Sequence, residues 1–334
     1  MAVQLGILDR LESLDKLTRL GDPLATLTKI VPFTLFREDL PPREPSPKGG
    51  RPPIDGLLLL KLLVIQHLYR LSDEQLEYQT LDRLSFQRFA GIHRVRDVPD
   101  FTTVWRFRER LGESGVRKVF DKLEGYIMTA GYKAAGGQIV DATIVQTGKP
   151  RRDPEESTVP TVQEAAHRDD DAAFTRKRGK SYHGYKLHVN VDEAHGFVRA
   201  AEVTPANTHD GHVLDAVVNE VDSGRAHSVY ADAAYPSADN TQMLAEKGLK
   251  PKFAHKRKPQ RQLTKRQKEQ NRRWSGVRAR VEHVFAHQNG HKPGGRWVRV
   301  VGLARVTVKL LLDQVVYNLN RLSFVFRRAQ GSCA

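Results

Sequence analysis

Cysteine is all but missing from this chain of 334 residues, with Cys333 as its single thiol. One thiol beside the C-terminus excludes a disulfide framework and a cysteine-based zinc site, and it fits a reducing compartment. Long apolar runs are missing too. The longest, 57–65 and 310–317, are short or broken by Lys61 and Asp313, so neither spans a bilayer and no membrane partner is expected. Asp9, Glu12 and Asp15 stand among the first leucines, where a signal peptide would carry no acids. An acidic balance is also absent: 54 Lys and Arg outnumber 39 Asp and Glu, a net charge of +15. That excess is the electrostatic footprint of a polyanion binder, which makes nucleic acid the expected partner.

The pattern along the chain divides it into five stretches. Residues 1–37 carry leucines at 5, 8, 11, 14, 17 and 20, a helical spacing for an N-terminal helical segment. Residues 38–53 are dense in Pro and Gly and form a linker, with Arg43, Lys48 and Arg51 placed to touch phosphates. Residues 54–135 read as several helices. Ser72 followed by Gln75 is a capping box, 84–89 is a short helix, Asp100 opens another, and a last one runs over 114–130. Such a set either contains a helix-turn-helix that reads DNA ends or serves as a plain scaffold.

From Gly136 the period changes. Strands are expected at 138–147, 185–192, 197–204, 228–231 and 250–254, the second and third forming a hairpin. Helices are expected at 210–221, 237–247 and 264–288. The polar, charged run 148–180 reads as a mobile insertion within a catalytic domain spanning 136–292, and 293–334 supplies a C-terminal helix and tail. Three strands followed by alternating strands and helices give an α/β fold: a ribonuclease H-like mixed five-stranded sheet flanked by helices, preceded by an all-helical N-terminal domain.

Three carboxylates stand out against this frame. Asp141 lies inside the first strand among Ile139, Val140, Ile144 and Val145, where a charge is costly unless paired or bound to metal. Asp232 ends the fourth strand, at the carboxyl edge where open α/β sheets place ligands. Glu282 sits on the last helix beside Val281, Val284 and Phe285. Converging carboxylates repel unless divalent cations neutralise them, and oxygen ligands without clustered Cys suit Mg²⁺, with Mn²⁺ as a substitute. Plainer roles remain open: Asp232 as a helix cap and Glu282 as the partner of Arg278 four residues earlier.

Between Lys256 and Arg280 the cations are Lys256, Arg257, Lys258, Arg261, Lys265, Arg266, Lys268, Arg272, Arg273, Arg278 and Arg280, against the one acid Glu269. A track for DNA leading to Glu282 is the expected use. Lys186 and His188 alternate on one strand and are expected to hold the scissile phosphate. His283, His287 and His291 recur every four residues, which reads as a solvated or phosphate-facing row rather than a zinc site. Trp274 and Trp297 suit either base stacking or core packing.

These residues fall within longer motifs: G-R-P-P-I-D-G-L-L-L-L-K (50–61), L-S-D-E-Q-L-E-Y-Q (71–79), D-R-L-S-F-Q-R-F (82–89) and D-F-T-T-V-W-R-F-R (100–108) in the helical part. The second part has I-V-D-A-T (139–143), S-Y-H-G-Y-K-L-H-V (181–189), T-P-A-N-T-H-D (204–210), Y-A-D-A-A-Y (230–235) and R-A-R-V-E-H-V-F (278–285). In this order, from about residue 50 to 322, they resemble the DDE transposases of bacterial insertion sequences, in the group named for insertion sequence five. The resemblance implies a ribonuclease H-like core, a triad of Asp141, Asp232 and Glu282, and recognition of terminal inverted repeats. It further implies joining of the freed 3′ ends to target DNA, assembly as a dimer or larger on DNA, and a bacterial, cytoplasmic, nucleoid-associated setting. Two positions depart from the family pattern. Ser275 stands where relatives have Tyr, and Asn289 where they have Lys, so steps that depend on those two are in doubt. The 50 residues between Asp232 and Glu282 leave no room for a sizeable β insertion. A retired DNA-binding protein, or a nuclease of the same fold that cuts without joining, are the alternatives.

Overall fold

The computed structural model describes residues 7–42, 53–134, 136–148, 169–177, 179–220, 227–257, 261–289 and 296–331. The chain divides into two units, one formed by 1–125 with 318–334 and the other by 126–317. Among the described residues no helix is long and apolar enough to cross a membrane.

The first unit is helical. Helix α1 covers Ile7–Arg19, α2 Pro23–Ile30, α3 Gly56–Tyr69, α4 Asp73–Asp82, α5 Leu84–Ala90 and α6 Phe101–Thr129. Three of them begin on a side-chain cap. Asp22 caps α2 through Leu24 N, Asp55 caps α3 through Leu57 N, and Ser72 with Gln75 forms the expected capping box on α4. The break expected between 111 and 114 is a kink at Gly112, whose φ of 56° with ψ of −172° is a combination that only glycine adopts without strain. The short α5 is the hub, touching α1 to α4. Its Phe86 and Phe89 are buried, and its Arg88 donates to Leu14 O, Thr18 Oγ1 and Asp22 Oδ2 at 2.9, 2.8 and 2.6 Å. The leucine spacing of α1 is only partly used, since Leu11 and Leu20 remain exposed. Most of the linker, 43–52, lies outside the described residues.

The second unit is built on one mixed sheet. Its strands are β1 Gly137–Gln146, β2 Ala173–Lys177, β3 Lys180–Asp192, β4 Val198–Pro205, β5 Ser228–Ala231, β6 Lys250–Phe253 and β7 Arg296–Trp297. The order is β2-β3-β1-β5-β6, with β4 also on β3 and β7 on β1. β1/β3 and β3/β4 are antiparallel, while β1/β5 and β5/β6 are parallel. The five expected strands are all present. The expected mobile insertion is corrected in part: 149–168 lies outside the described residues, but 173–177 is a strand paired with the extension of β3 down to Lys180. Charge and low apolar content concealed a pairing that is made by backbone.

Two helices also differ from expectation. The segment expected as a helix over 210–221 is a 3₁₀ turn, Asp210–Val213, followed by a single α-turn, α7, Leu214–Val217. The long helix expected over 264–288 is two: α9 Lys265–Arg278 and α10 Val281–Asn289, following α8 Ala238–Glu246. Between them the hydrogen bonds shorten to three-residue closures, Arg280 N to Val277 O and Glu282 N to Ala279 O, which redirects the chain. The final helix, α11, is Leu303–Gly331.

β1 is the strand on which the geometry turns. Along the edge away from β3 it pairs with β5 only at Gly137–Ile139 and with β7 only at Val145 and Gln146. Between these short neighbours no strand pairs with β1 among the described residues, and Asp141 stands in that gap. On its other side β1 is held in register with β3 by a close approach at Gly184. There φ is 146°, and a Cβ would lie 2.2 Å from Val145 O. Gly184→Ala is expected to destabilise the protein by at least roughly 1–3 kcal/mol, since the backbone itself is in the way; a denaturant midpoint equal to the parent's would contradict this.

Candidate active site

Antiparallel partners share a sheet face, and successive residues alternate. Asp141 is opposite Val189, so it lies on the face of Ile139, Leu187 and Val189. The parallel register of β1 with β5 sets Ile139 beside Tyr230. Carried on by two residues, that register brings Asp232, one residue beyond β5, to the level and face of Asp141. α9 and α10 both contact β1, and Glu282 is the second residue of α10, exposed while Val281, Val284 and Phe285 beside it are buried.

Asp141 sits in a strained electrostatic setting. Its side chain is 19% exposed, and burial pushes its pKa up to about 6. The Ala142 N–H, which donates to Oδ1 at 2.8 Å, and the Arg278 guanidinium pull the other way, while the charges of Asp232 and Glu282 push further up. All three expected carboxylates thus share one field. Arg278 Nη2 stands 3.8 Å from Asp141 Oδ2, so this arginine turns to Asp141 and not to Glu282. The plainer role for Asp232 is likewise not what the structure has: Ser237 caps α8 through Asn240 N. Asp232 Oδ1 instead accepts from Ala234 N at 2.8 Å and closes the turn after β5.

Tyr235 was not singled out from sequence, since an aromatic after a strand reads as core. Its ring is core, 1% exposed beside Val140, Val213 and Leu244. Yet among the described residues its hydroxyl has no hydrogen-bond partner, and it is held well above its usual pKa by burial and by the charges of Asp141, Asp210 and Asp232. A buried orphan O–H among acids is unusual, because such groups normally find partners.

The donor set is all oxygen and suits a hard divalent ion. Burial, mutual repulsion and an orphan phenol all favour a cation among these acids. As the side chains are placed, no three Asp, Glu, His or Cys groups among the described residues enclose an ion. Arg278 is the cation paired with Asp141.

The phosphate role expected for Lys186 and His188 is corrected. Both lie on the sheet face opposite Asp141, because His188 pairs with Ala142 and Lys186 with Ile144. His188 has no exposed surface; its Nε2 is 3.0 Å from Thr204 Oγ1, and burial lowers its pKa to about 4. Lys186 donates to Thr208 O and pairs with Asp210, each at 2.7 Å. Neither is free to meet a phosphate.

The basic track is more open. Lys256, Arg257, Arg261, Lys265, Arg266, Lys268, Arg272 and Arg273 are exposed, and α9 has no fully buried residue. Arg278 is turned to Asp141, Arg280 donates to Glu193 O, and Lys258 lies outside the described residues. Trp274 packs against His255, ring centroids 5.3 Å apart, whereas Trp297 is 56% exposed. The histidine row does not act as one: His283 is exposed, His287 meets Tyr317 edge-on, and His291 lies outside the described residues.

Residues 133–319 match the family described as Transposase DDE domain, and residues 12–110 match that described as Transposase domain (DUF772). Among solved structures, a piggyBac transposase synaptic complex with hairpin DNA is similar, at a TM-score of 0.50 and 10% identity. That match covers 93% of this chain and 76% of the other. At that identity the likeness speaks to the fold alone, and it agrees with a ribonuclease H-like sheet that follows a helical region in the sequence.

The raised pKa has a consequence for stability. Between about pH 4 and 6 folded Asp141 keeps a proton that the unfolded chain has lost, so ionising it above that window destabilises the fold. Asp141→Asn is therefore expected to stabilise the metal-free protein at pH 7 by roughly 1–3 kcal/mol. The gain should shrink as the pH falls through 6 towards 4. Thermal melts of both proteins at pH 4.5 and 7 would show it; a gain independent of pH would contradict the assignment.

Proposed function

Because this chain belongs to the DDE transposase family, and is thus a metal-dependent DNA-cutting enzyme, we propose that it cleaves at the terminal inverted repeats of an insertion sequence. It then joins the freed 3′ ends to target DNA. Asp141, Asp232 and Glu282 are the catalytic carboxylates and the metal ligands of this reading. The observation that carries it is the placement of Asp141 in the gap between β5 and β7 along β1, level with Asp232 and within the field of Glu282.

The residues have separable tasks. Asp141, raised by burial, is the acid most relieved by a neighbouring cation, and its strand fixes it. Asp232 is held by its own turn, and Glu282 approaches on a helix whose apolar side is anchored. When bound, a pair of hard divalent ions, Mg²⁺ with Mn²⁺ as substitute, supplies activation of the attacking oxygen and neutralises charge at the leaving 3′ oxygen. The exposed cations of 256–273 attract the DNA backbone and orient it towards Glu282. Arg278, loosely paired with Asp141, offsets part of that acid's charge.

Two ends per element require at least two copies of the chain, so a dimer on DNA is the smallest assembly proposed. The setting proposed is the nucleoid of a bacterial cell, with an element of the insertion-sequence-five group. Similarity to a transposase captured with hairpin DNA leaves second-strand cutting through a hairpin as one route to test.

With Mg²⁺ and DNA bearing the repeats that flank the reading frame, cleavage and joining are the expected products. Asp141→Asn, Asp232→Asn or Glu282→Gln should lower both by on the order of 10³-fold or more while leaving end binding intact. A variant that cuts as well as the parent would remove that residue from the triad. Joined product from pre-cut ends distinguishes a transposase from a nuclease. End binding should also weaken steeply with salt. Replacing Arg272 and Arg273 by Ala should flatten the slope of log K against log salt by about two if each meets one phosphate, and an unchanged slope would move the DNA track elsewhere.

A further inference from the structure

Asp232 stands one residue past the end of β5, so no sheet hydrogen bond fixes it. Its bond to Ala234 N is internal to the turn and orients the carboxylate only relative to that turn. What fixes the turn is a chain of contacts leading back to the middle of the sheet.

The chain starts at Lys186, rooted in β3 between Ile144 of β1 and Thr204 of β4. Its ammonium, on a side chain 14% exposed, holds Thr208 O and Asp210 Oδ1, each at 2.7 Å. That pins the 3₁₀ turn that begins at Asp210, already closed at its start by Gly211 N donating to His209 Nδ1. From this turn Gly211 presses against the Asp232 turn: a Cβ at Gly211 would sit 3.2 Å from Ala234 O. Asn240 then staples the two turns together, its Nδ2 donating to Gly211 O at 3.0 Å and to Tyr235 O at 2.7 Å. The Tyr235 ring anchors the same turn in the apolar core, beside Val213 and Leu214.

We propose that Lys186, Asp210 and Asn240 are positioning residues that hold the Asp232 turn level with Asp141. They lie on the far side of the sheet from Asp141 and act through backbone, not on substrate. The inference rests on the reading of Asp232 as a catalytic metal ligand. It gives a task to two motifs, S-Y-H-G-Y-K-L-H-V and T-P-A-N-T-H-D, that the triad leaves without one.

Asn240→Leu keeps the size of the side chain and removes both donors, at a partly exposed position in the first turn of α8. In the metal-free protein, amide hydrogen exchange over residues 232–235 is expected to quicken. Mn²⁺ affinity by calorimetry should fall about tenfold, the usual scale for losing a support behind a ligand. Cleavage should fall at low Mg²⁺ and recover at high Mg²⁺. The pair Lys186→Met with Asp210→Leu, which leaves no unpaired charge behind, should do the same, and Lys186→Arg should restore most of the Mn²⁺ affinity. A merely destabilised protein would lose active fraction at unchanged Mn²⁺ affinity, and that result overturns the proposal, as does unchanged exchange over 232–235. A parent that binds Mn²⁺ but never cuts DNA defeats the reading of the function instead, while exchange and Mn²⁺ affinity still judge the positioning.

Discussion

The second unit is organised around one electrostatic problem, a carboxylate inside a strand. Asp141 has β-branched neighbours along its own strand and two further acids in its field, yet among the described residues only one backbone N–H and one guanidinium offset its charge. A structural aspartate in such a place would be paired more closely. Asp192 shows the contrast within the same sheet. It is as deeply buried as any acid here, and it accepts from His195 N, Phe197 N and Arg199 Nε at 2.5, 2.9 and 3.0 Å. Asp192 closes a hairpin and is satisfied. Asp141 is left partly unsatisfied beside an opening, which is the condition a cation would relieve.

β3 serves both sides of that problem. Towards Asp141 it presents Tyr185, Leu187, Val189 and Val191, all without exposed surface, a dry wall that keeps the acid's charge unscreened. On its other face come Lys186, His188, Asn190 and Asp192, each tied to a different part of the chain. Lys186 reaches Asp210, His188 reaches Thr204, Asn190 reaches Gln138 and Val217 O, and Asp192 reaches Arg199. A polar row on a central strand would weaken the fold if left unpaired. Here it fastens the loops that follow β3 and β4, including those that bear on Asp232.

The same strand marks the limit of what could be read in advance. β-branched content located β1, and the acid inside it was legible for that reason; Ser72 with Gln75 and Thr264 with Gln267 carry their caps in the sequence and form them. Alternation in 185–192 showed that Lys186 and His188 share a face. It did not show which face. That depends on pairing Asp141 with Val189 and not with His188, and a slip of one residue exchanges the two faces entirely. Register is fixed by contacts such as Gly184 against Val145 O, which no local pattern reveals. The break between α9 and α10 was hidden for a related reason: helical spacing runs through residues 277–285, and only tertiary contacts, such as Arg280 to Glu193 O, favour turning the chain there.

Arg278 completes the picture of a site poised between two charge states. It is four residues from Glu282, a spacing that on an unbroken helix would set the two side by side. The turn at 279–280 separates them, freeing Glu282 to face outward and sending the guanidinium to Asp141, where its Nε is buried without a partner among the described residues. At 3.8 Å the contact is long for a charge-assisted hydrogen bond and leaves the pair loosely joined. A tight bidentate pair would lock the acid shut, and no pair would leave a buried charge with little to balance it. The loose one holds Asp141 in place while remaining displaceable, so the helix break that the sequence concealed is also what keeps the opening in β1 available to a stronger cation.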